Sequence, residues 1–200
     1  MVFENKVIMM DTLIFHSKMR ALLWVRAAFD ECRVQERLWW FCLYKCKFSL
    51  FDSRGWLYPP HGWLKFNVSG LAIEGALGVG GMLRDEEGIV RALFSRPTDA
   101  CDAESAELGA ISTALDIFIE FGWEGHGSLV IEIGSRVVYN WILVKARRPW
   151  SHQVISADLE RRFFCFGKLS FSIAEVSGNE MAESLAMAGM SRTCMFKAWW

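Results

Sequence analysis

Glu107 is the acidic residue in the most unusual company. Its neighbours at helical spacing, Ala103, Ala110, Ile111 and Ala114, are all apolar. A carboxylate in such a column has either a partner or a task. One reading makes it a catalytic or metal-holding acid. The other makes it a buried acceptor, hydrogen-bonded to Ser69 or to main chain. Glu183 follows Met181-Ala182 and reads either as a second such acid or as a first-turn residue favoured by a helix dipole. Arg147-Arg148, before Pro149, reads as a phosphate contact or as a solvated loop. Cys42 and Cys46 with Cys32 and His61 can be drawn as a zinc site. Their spacing matches no pattern of paired zinc cysteines, so scattered buried thiols are the simpler account.

The elements that must hold these residues follow from periodicity. Leu64, Phe66 and Val68 alternate with Lys65, Asn67 and Ser69, which predicts a half-buried strand. Leu77 to Arg84 is a second strand, with a bulge expected at Gly80-Gly81. Asp85-Glu86-Glu87-Gly88 is a turn into a third strand, Ile89 to Ser95. A helix over Asp102–Phe121 starts acidic and ends at Gly122. Leu129, Ile131 and Ile133 mark a fourth strand. Ser135 caps a helix to Val144, and His152–Phe166 is another. Leu169, Phe171 and Ile173 mark a fifth strand. Ser177-Gly178-Asn179-Glu180 predicts a capping box opening a helix to about Ala188, with Gly189 just beyond its end. The order βββαβααβα implies a mixed sheet with helices on both faces.

Six words in this order resemble ribonuclease H, above all the ribonuclease H-like, reverse-transcriptase-like domains of plant retrotransposons. They are Leu64-Lys65-Phe66-Asn67-Val68, Gly80-Gly81-Met82-Leu83-Arg84-Asp85, Ala106-Glu107-Leu108, Phe121-Gly122-Trp123, Arg148-Pro149-Trp150 and Asn179 to Ala186. The resemblance implies an α/β ribonuclease H-like fold over residues 62–192: a five-stranded mixed sheet, meander first and crossover helices after. Residues 1–60 would form a helical, aromatic-rich extension and residues 193–200 a tail. It also implies a site of four carboxylates holding two Mg²⁺ ions that cleave RNA in an RNA–DNA hybrid. Here those positions are Ser69, Glu107, Gly134 and Glu183. Ser69 brings a neutral hydroxyl, Gly134 no side chain, and Glu183 a carboxylate one methylene longer than the family's aspartate. The family histidine aligns with Ile173. Mg²⁺ is held by charge in a near-octahedral frame, so little or no metal binding and no hydrolysis are expected. Glu132 points to the same sheet face as Gly134 but sits deeper along the strand, roughly 6–7 Å away. Asp85, in a turn, is remote.

The composition fits this picture. Hydrophobic residues make up 52% and charged residues 22%, which describes a core-forming chain. Residues 1–60 carry nine Lys/Arg against six Asp/Glu, and residues 61–200 thirteen against seventeen. The candidate domain therefore lacks a basic stripe for phosphates, and binding to a hybrid or other nucleic acid should be weak. Met1–Met10 holds Glu4 and Lys6 and no small-residue cleavage site, so an intracellular chain with free thiols is expected. Lys18, Arg20 and Arg26 interrupt the most apolar stretch, which rules out a membrane helix there. Val7–Phe29 has amphipathic helical spacing at Leu13, Ala21, Leu22, Val25 and Phe29. Trp39-Trp40-Phe41 follow. This region suggests an abrupt start within a longer reading frame, or a surface for a protein partner. Three functions stand open: an inactive, weakly nucleic-acid-binding remnant, a working hybrid nuclease, or an interaction module built on residues 1–60.

Overall fold

In the computed structural model, residues 57–123 and 128–199 are described. The helix expected over Val7–Phe29, the aromatic stretch after it, and Cys32, Cys42 and Cys46 lie outside them. Three strands open the domain as a meander: β1 (Trp63–Ile73), β2 (Ala76–Arg84) and β3 (Val90–Pro97). The turn between β2 and β3 is closed by Asp85, whose Oδ1 accepts the Glu87 and Ile89 amides at 3.0 and 2.9 Å. Gly88 supplies the left-handed residue, at φ 78°. Helix α1 (Ala103–Glu120) follows, its N-cap Asp102 accepting from the Ser105 amide. Then come β4 (Ser128–Ile133), α2 (Arg136–Leu143) capped by Ser135, α3 (Gln153–Phe163), β5 (Leu169–Ile173), α4 (Val176–Met190) and β6 (Phe196–Trp199).

The strand order is β5-β4-β1-β2-β3-β6. β1, β4 and β5 run parallel, and the other pairings are antiparallel. The sheet is thus mixed, with six strands where five were expected. The sixth, β6, comes from the stretch expected to be a tail and pairs with the outer edge of β3. Phe66 and Val68 of β1, Leu129, Ile131 and Ile133 of β4, and Ile111, Leu115 and Phe118 of α1 form the main core, closed by Val138 of α2 and Leu159 of α3.

α4 covers the opposite face, and four local expectations change in and around it. The Gly80-Gly81 pair makes no bulge: register runs on through it, and the irregularity falls at Leu83/Arg84. A Cβ on Gly80 would lie 2.3 Å from the Ala186 amide nitrogen, so the glycine serves the close crossing of α4. Gly189 lies inside α4, not beyond it, because its missing Cβ would sit 2.5 Å from the Arg96 carbonyl oxygen. The helix begins at Val176 with Glu175 as its cap residue and no side-chain cap bond, so Ser177 is past the cap position. β1 is also buried on both faces, not one. Lys65, Asn67 and Ser69 are as enclosed as the apolar residues between them. Asn67 Nδ2 reaches Asn179 Oδ1 and the Gly178 carbonyl, each at 3.4 Å, in the first turns of α4.

Candidate functional site

The close approach of α1 to β1 starts the site. A Cβ on Gly70 would lie 2.1 Å from the Glu107 amide nitrogen, so helix and strand touch main chain to main chain. That contact delivers the Glu107 carboxylate to the place where the parallel pairing of β1 and β4 ends. Val68 pairs with Ile133 across β1 and β4, and Ser69 and Gly134 come next, where the parallel pairing stops, β4 ending and β1 running on to Ile73 against β2 alone. Asn179 ties α4 to this end by donating from Nδ2 to the Val68 carbonyl at 3.0 Å. The result is a pocket of about 160 Å³ lined by Ser69, Glu104, Glu107, Gly134, Asn179 and Glu183, among others. All four positions inferred from the resemblance share this one pocket.

Glu107 is 3% exposed, and its carboxylate is fully engaged. Oε2 accepts the Gly70 amide at 2.5 Å. Oε1 accepts the Gly134 and Ser135 amides at 2.9 and 3.2 Å. The latter two amides open α2, so the charge also sits at a helix N-terminus. Burial nevertheless dominates and pushes the Glu107 carboxyl up to about 7. The three amides pull it down, and the charge of Glu183 adds to the rise. Glu183 is half-buried on α4 and makes no hydrogen bond or ion pair among the described residues. Its own carboxyl is raised, first by burial and then by Glu180.

Sequence reasoning missed Glu104, one turn before Glu107 and lining the same pocket. Its three-residue offset from Glu107 was the available signal. Glu132 does not enter the site. Its Oε1 meets Lys65 Nζ at 3.1 Å and its Oε2 meets Asn67 Nδ2 at 2.7 Å, with Ser172 Oγ at 3.4 Å. Asp85 lies beyond the other end of β1, paired to Arg91 at 2.7 Å. Ile173 ends β5 beside Ile133 and does not line the pocket. Arg148 fits neither of its two readings. Its side chain is largely enclosed and donates to the Trp141 and Ile142 carbonyls at the end of α2 and to Glu160.

A second cluster was not anticipated. His152 Nε2 meets Ser105 Oγ at 3.0 Å and Asp102 Oδ1 at 3.5 Å, while Nδ1 meets Ser151 Oγ at 2.9 Å. Hydroxyl and carboxylate share one ring nitrogen, so no acid–base relay to a serine nucleophile results. The cluster fastens the Trp150–His152 turn to the start of α1.

Residues 67–189 match the family model described as reverse transcriptase-like. The chain belongs to the reverse transcriptase-like family. Its fold is that of ribonuclease H. The ribonuclease H1 of the halophilic archaeon Halobacterium salinarum NRC-1 superposes with a TM-score of 0.58 at 19% identity, covering 64% of this chain and 97% of that one. A metagenomic ribonuclease H1 from compost, solved in complex with an RNA/DNA hybrid, gives 0.58 at 19%, covering 64% and 96%. The prototype foamy virus protease–reverse transcriptase gives 0.57 at 16%, covering 68% and 22%. No curated protein sequence matches the chain.

Ribonucleases H generally use Mg²⁺, and the donors present fit a two-metal centre poorly. Glu107 already holds three main-chain amides, Ser69 is neutral and Gly134 offers no side chain. Hard cations of this kind need several oxygen ligands and their negative charge. Among the described residues no three His, Cys, Asp or Glu side chains group as a metal site.

Proposed function

We propose that this chain is a ribonuclease H-like domain of plant retroelement origin that has lost hydrolytic activity, holds no Mg²⁺ and binds an RNA–DNA hybrid weakly at best, inside the cell. One observation supports this reading most directly: the remaining central carboxylate, Glu107, is engaged by the Gly70, Gly134 and Ser135 amides. An acid so placed holds two strands and a helix start together. With serine and glycine at two neighbouring positions, too little negative charge faces the pocket to hold two divalent ions.

A second reading has its own observation. Glu104 brings a third carboxylate to the pocket beside Glu107 and Glu183, so a metal-dependent nuclease with a displaced ligand set is the competing account.

The test incubates the purified chain with a labelled RNA–DNA hybrid in Mg²⁺ and separately in Mn²⁺, beside a Ser69→Asp/Gly134→Asp variant. A Cβ at residue 134 would lie 3.2 Å from Asn179 Nδ2, so the aspartate needs only a small shift of that amide. We expect no cleavage by the natural chain, cleavage by the repaired variant, and a Mg²⁺-dependent rise in melting temperature for the repaired variant alone. Cleavage by the natural chain that Glu104→Gln abolishes would establish the second reading.

A further inference from the structure

We infer that the pocket lined by Ser69, Glu104 and Glu183 receives a primary ammonium group at the end of an alkyl chain, as on a lysine side chain or a free aliphatic diamine. The inference rests on the reading that no divalent ion occupies this pocket. Among the described residues the lining holds the carboxylates of Glu104, Glu107 and Glu183 and no lysine, arginine or histidine. The three acids are not equally free. Glu107 is committed to the Gly70, Gly134 and Ser135 amides. Glu104 of α1 and Glu183 of α4 make no hydrogen bond or ion pair among the described residues. Ser69 adds an observation independent of the acids. It is 3% exposed, yet its hydroxyl makes no hydrogen bond among the described residues, and it lines the pocket. A buried hydroxyl without a partner is uncommon. Here it leaves an acceptor open to a donor that enters from the pocket. The corner beside it is vacant as well: a Cβ on Gly134 would lie 3.2 Å from Asn179 Nδ2 and 3.7 Å from Glu107 Oε1.

Size and chemistry select the guest. The pocket's 160 Å³ falls short of the roughly 300–1,000 Å³ of sites that enclose drug-sized molecules, so only the tip of a ligand enters. Acidic walls disfavour phosphate and carboxylate groups. A bare divalent cation needs several oxygens within about 2.0–2.6 Å of one point, and among the described residues no three such side chains group as a metal site. A potassium-like ion gives up its water inside a ring of oxygens, whereas this lining also contains the Asn179 amide and the apolar Leu71 and Ala103. Asn179 Nδ2 is itself a donor and is engaged by the Val68 carbonyl. An ammonium asks for less. It carries three donors that turn about one bond and reaches acceptors through hydrogen bonds of about 2.7–2.9 Å. Glu104, Glu183 and Ser69 supply three acceptors from three elements, α1, α4 and β1. Leu71 and Ala103 give the methylenes behind the nitrogen an apolar wall.

The experiment titrates the full 200-residue chain by calorimetry, in metal-free buffer, with cadaverine and separately with Nα-acetyl-lysine methylamide. Saturable binding is expected, and which compound binds more tightly tells a free diamine from a lysine side chain as the source. Glu183→Gln and Glu104→Gln should each weaken it about tenfold or more, the worth of a hydrogen bond to a charged group, and Ser69→Ala about threefold. Glu87→Gln removes the same charge from the exposed β2–β3 turn and should leave binding unchanged. Circular dichroism checks the fold of each variant. Equal affinity for the Nε-trimethylated lysine compound, which keeps the charge and has no N–H at that nitrogen, overturns the proposal. So does a loss with Glu87→Gln as large as that with Glu183→Gln, which would make the effect one of net charge. Absence of binding by either amine overturns it too, and if Mg²⁺ then gives no heat, the reading of a metal-free pocket stands without it. Displacement of the bound amine by equimolar Mg²⁺ would put a divalent ion in the pocket and overturn both readings together.

Discussion

Glu107 carries a titration that its surroundings make measurable. The folded state holds its carboxyl near 7 against an ordinary 4.5, burial being the main cause. The fold therefore favours the protonated form and takes up a proton between those two values. Stability should be greatest below the lower one, fall as pH rises through the window, and level off above about 7. The full span is worth about 3 kcal/mol. Glu107→Gln removes this term, so urea unfolding from about pH 5 to 8 should show the natural chain losing stability relative to the variant as pH rises. Parallel pH profiles would show that Glu107 stays ionised throughout. Glu183 is raised in the same direction, but both proteins share it and the difference cancels it. The sequence already marked Glu107 as odd, through its apolar helical column. It did not reveal what satisfies the carboxylate, because all three donors are main-chain amides, which carry no residue signature, and they lie 27 to 37 positions away. Ser69 and Gly134 drew attention only through their place among family words, since a serine and a glycine signal nothing by themselves.

At the level of elements, alternation and caps were enough to place the strands and helices but not to say what lies across from them. Gly80 shows the difference. Locally a Gly-Gly pair in a strand reads as a bulge, whereas here the pair makes room for α4, an element a hundred residues later. The consequence is asymmetric between glycines. Gly80→Ala would place its Cβ 2.3 Å from the Ala186 amide nitrogen, and main chain cannot step aside, so a loss of about 3 kcal/mol or more is expected. Gly109, buried within α1, has nothing nearer than Thr98 Oγ1 at 3.9 Å. Gly109→Ala should stabilise by about 0.5–1 kcal/mol, the helix propensity difference. Thermal unfolding of the two variants checks both signs, and a tolerated Gly80→Ala would mean that α4 crosses farther from β2 than described. The sixth strand escaped reading for a related reason. Phe196–Trp199 is four residues long with no alternation of its own, and only pairing with β3, about a hundred positions earlier, makes it a strand.

Across the whole domain the charge is arranged against phosphate binding. Residues 61–200 hold seventeen acids to thirteen bases, and many of the bases are already spent. Arg91 pairs with Asp85, Arg148 with Glu160, Arg162 with Asp116 and Asp158, and Lys197 with Glu120. The pocket where a hybrid would be cut is lined by Glu104, Glu107 and Glu183, which set negative charge against a phosphodiester unless a divalent ion lies between them. Affinity for a nucleic acid scales with the phosphates neutralised, and so does its dependence on salt. A protein contacting six to ten phosphates loses roughly 10³–10⁵ in affinity between 50 and 200 mM salt. This chain should show a dissociation constant no tighter than the non-specific range of about 10⁻⁶ M, and a log–log salt slope of about −2 or shallower. Filter binding of a labelled RNA–DNA hybrid over that salt range measures both. A slope steeper than about −5 would mean that a basic surface outside the described residues grips the backbone. Nucleic-acid binding would then be carried by a surface other than the pocket. A shallow slope with weak binding would leave the domain as a ribonuclease H scaffold that has no strong grip on the nucleic-acid backbone.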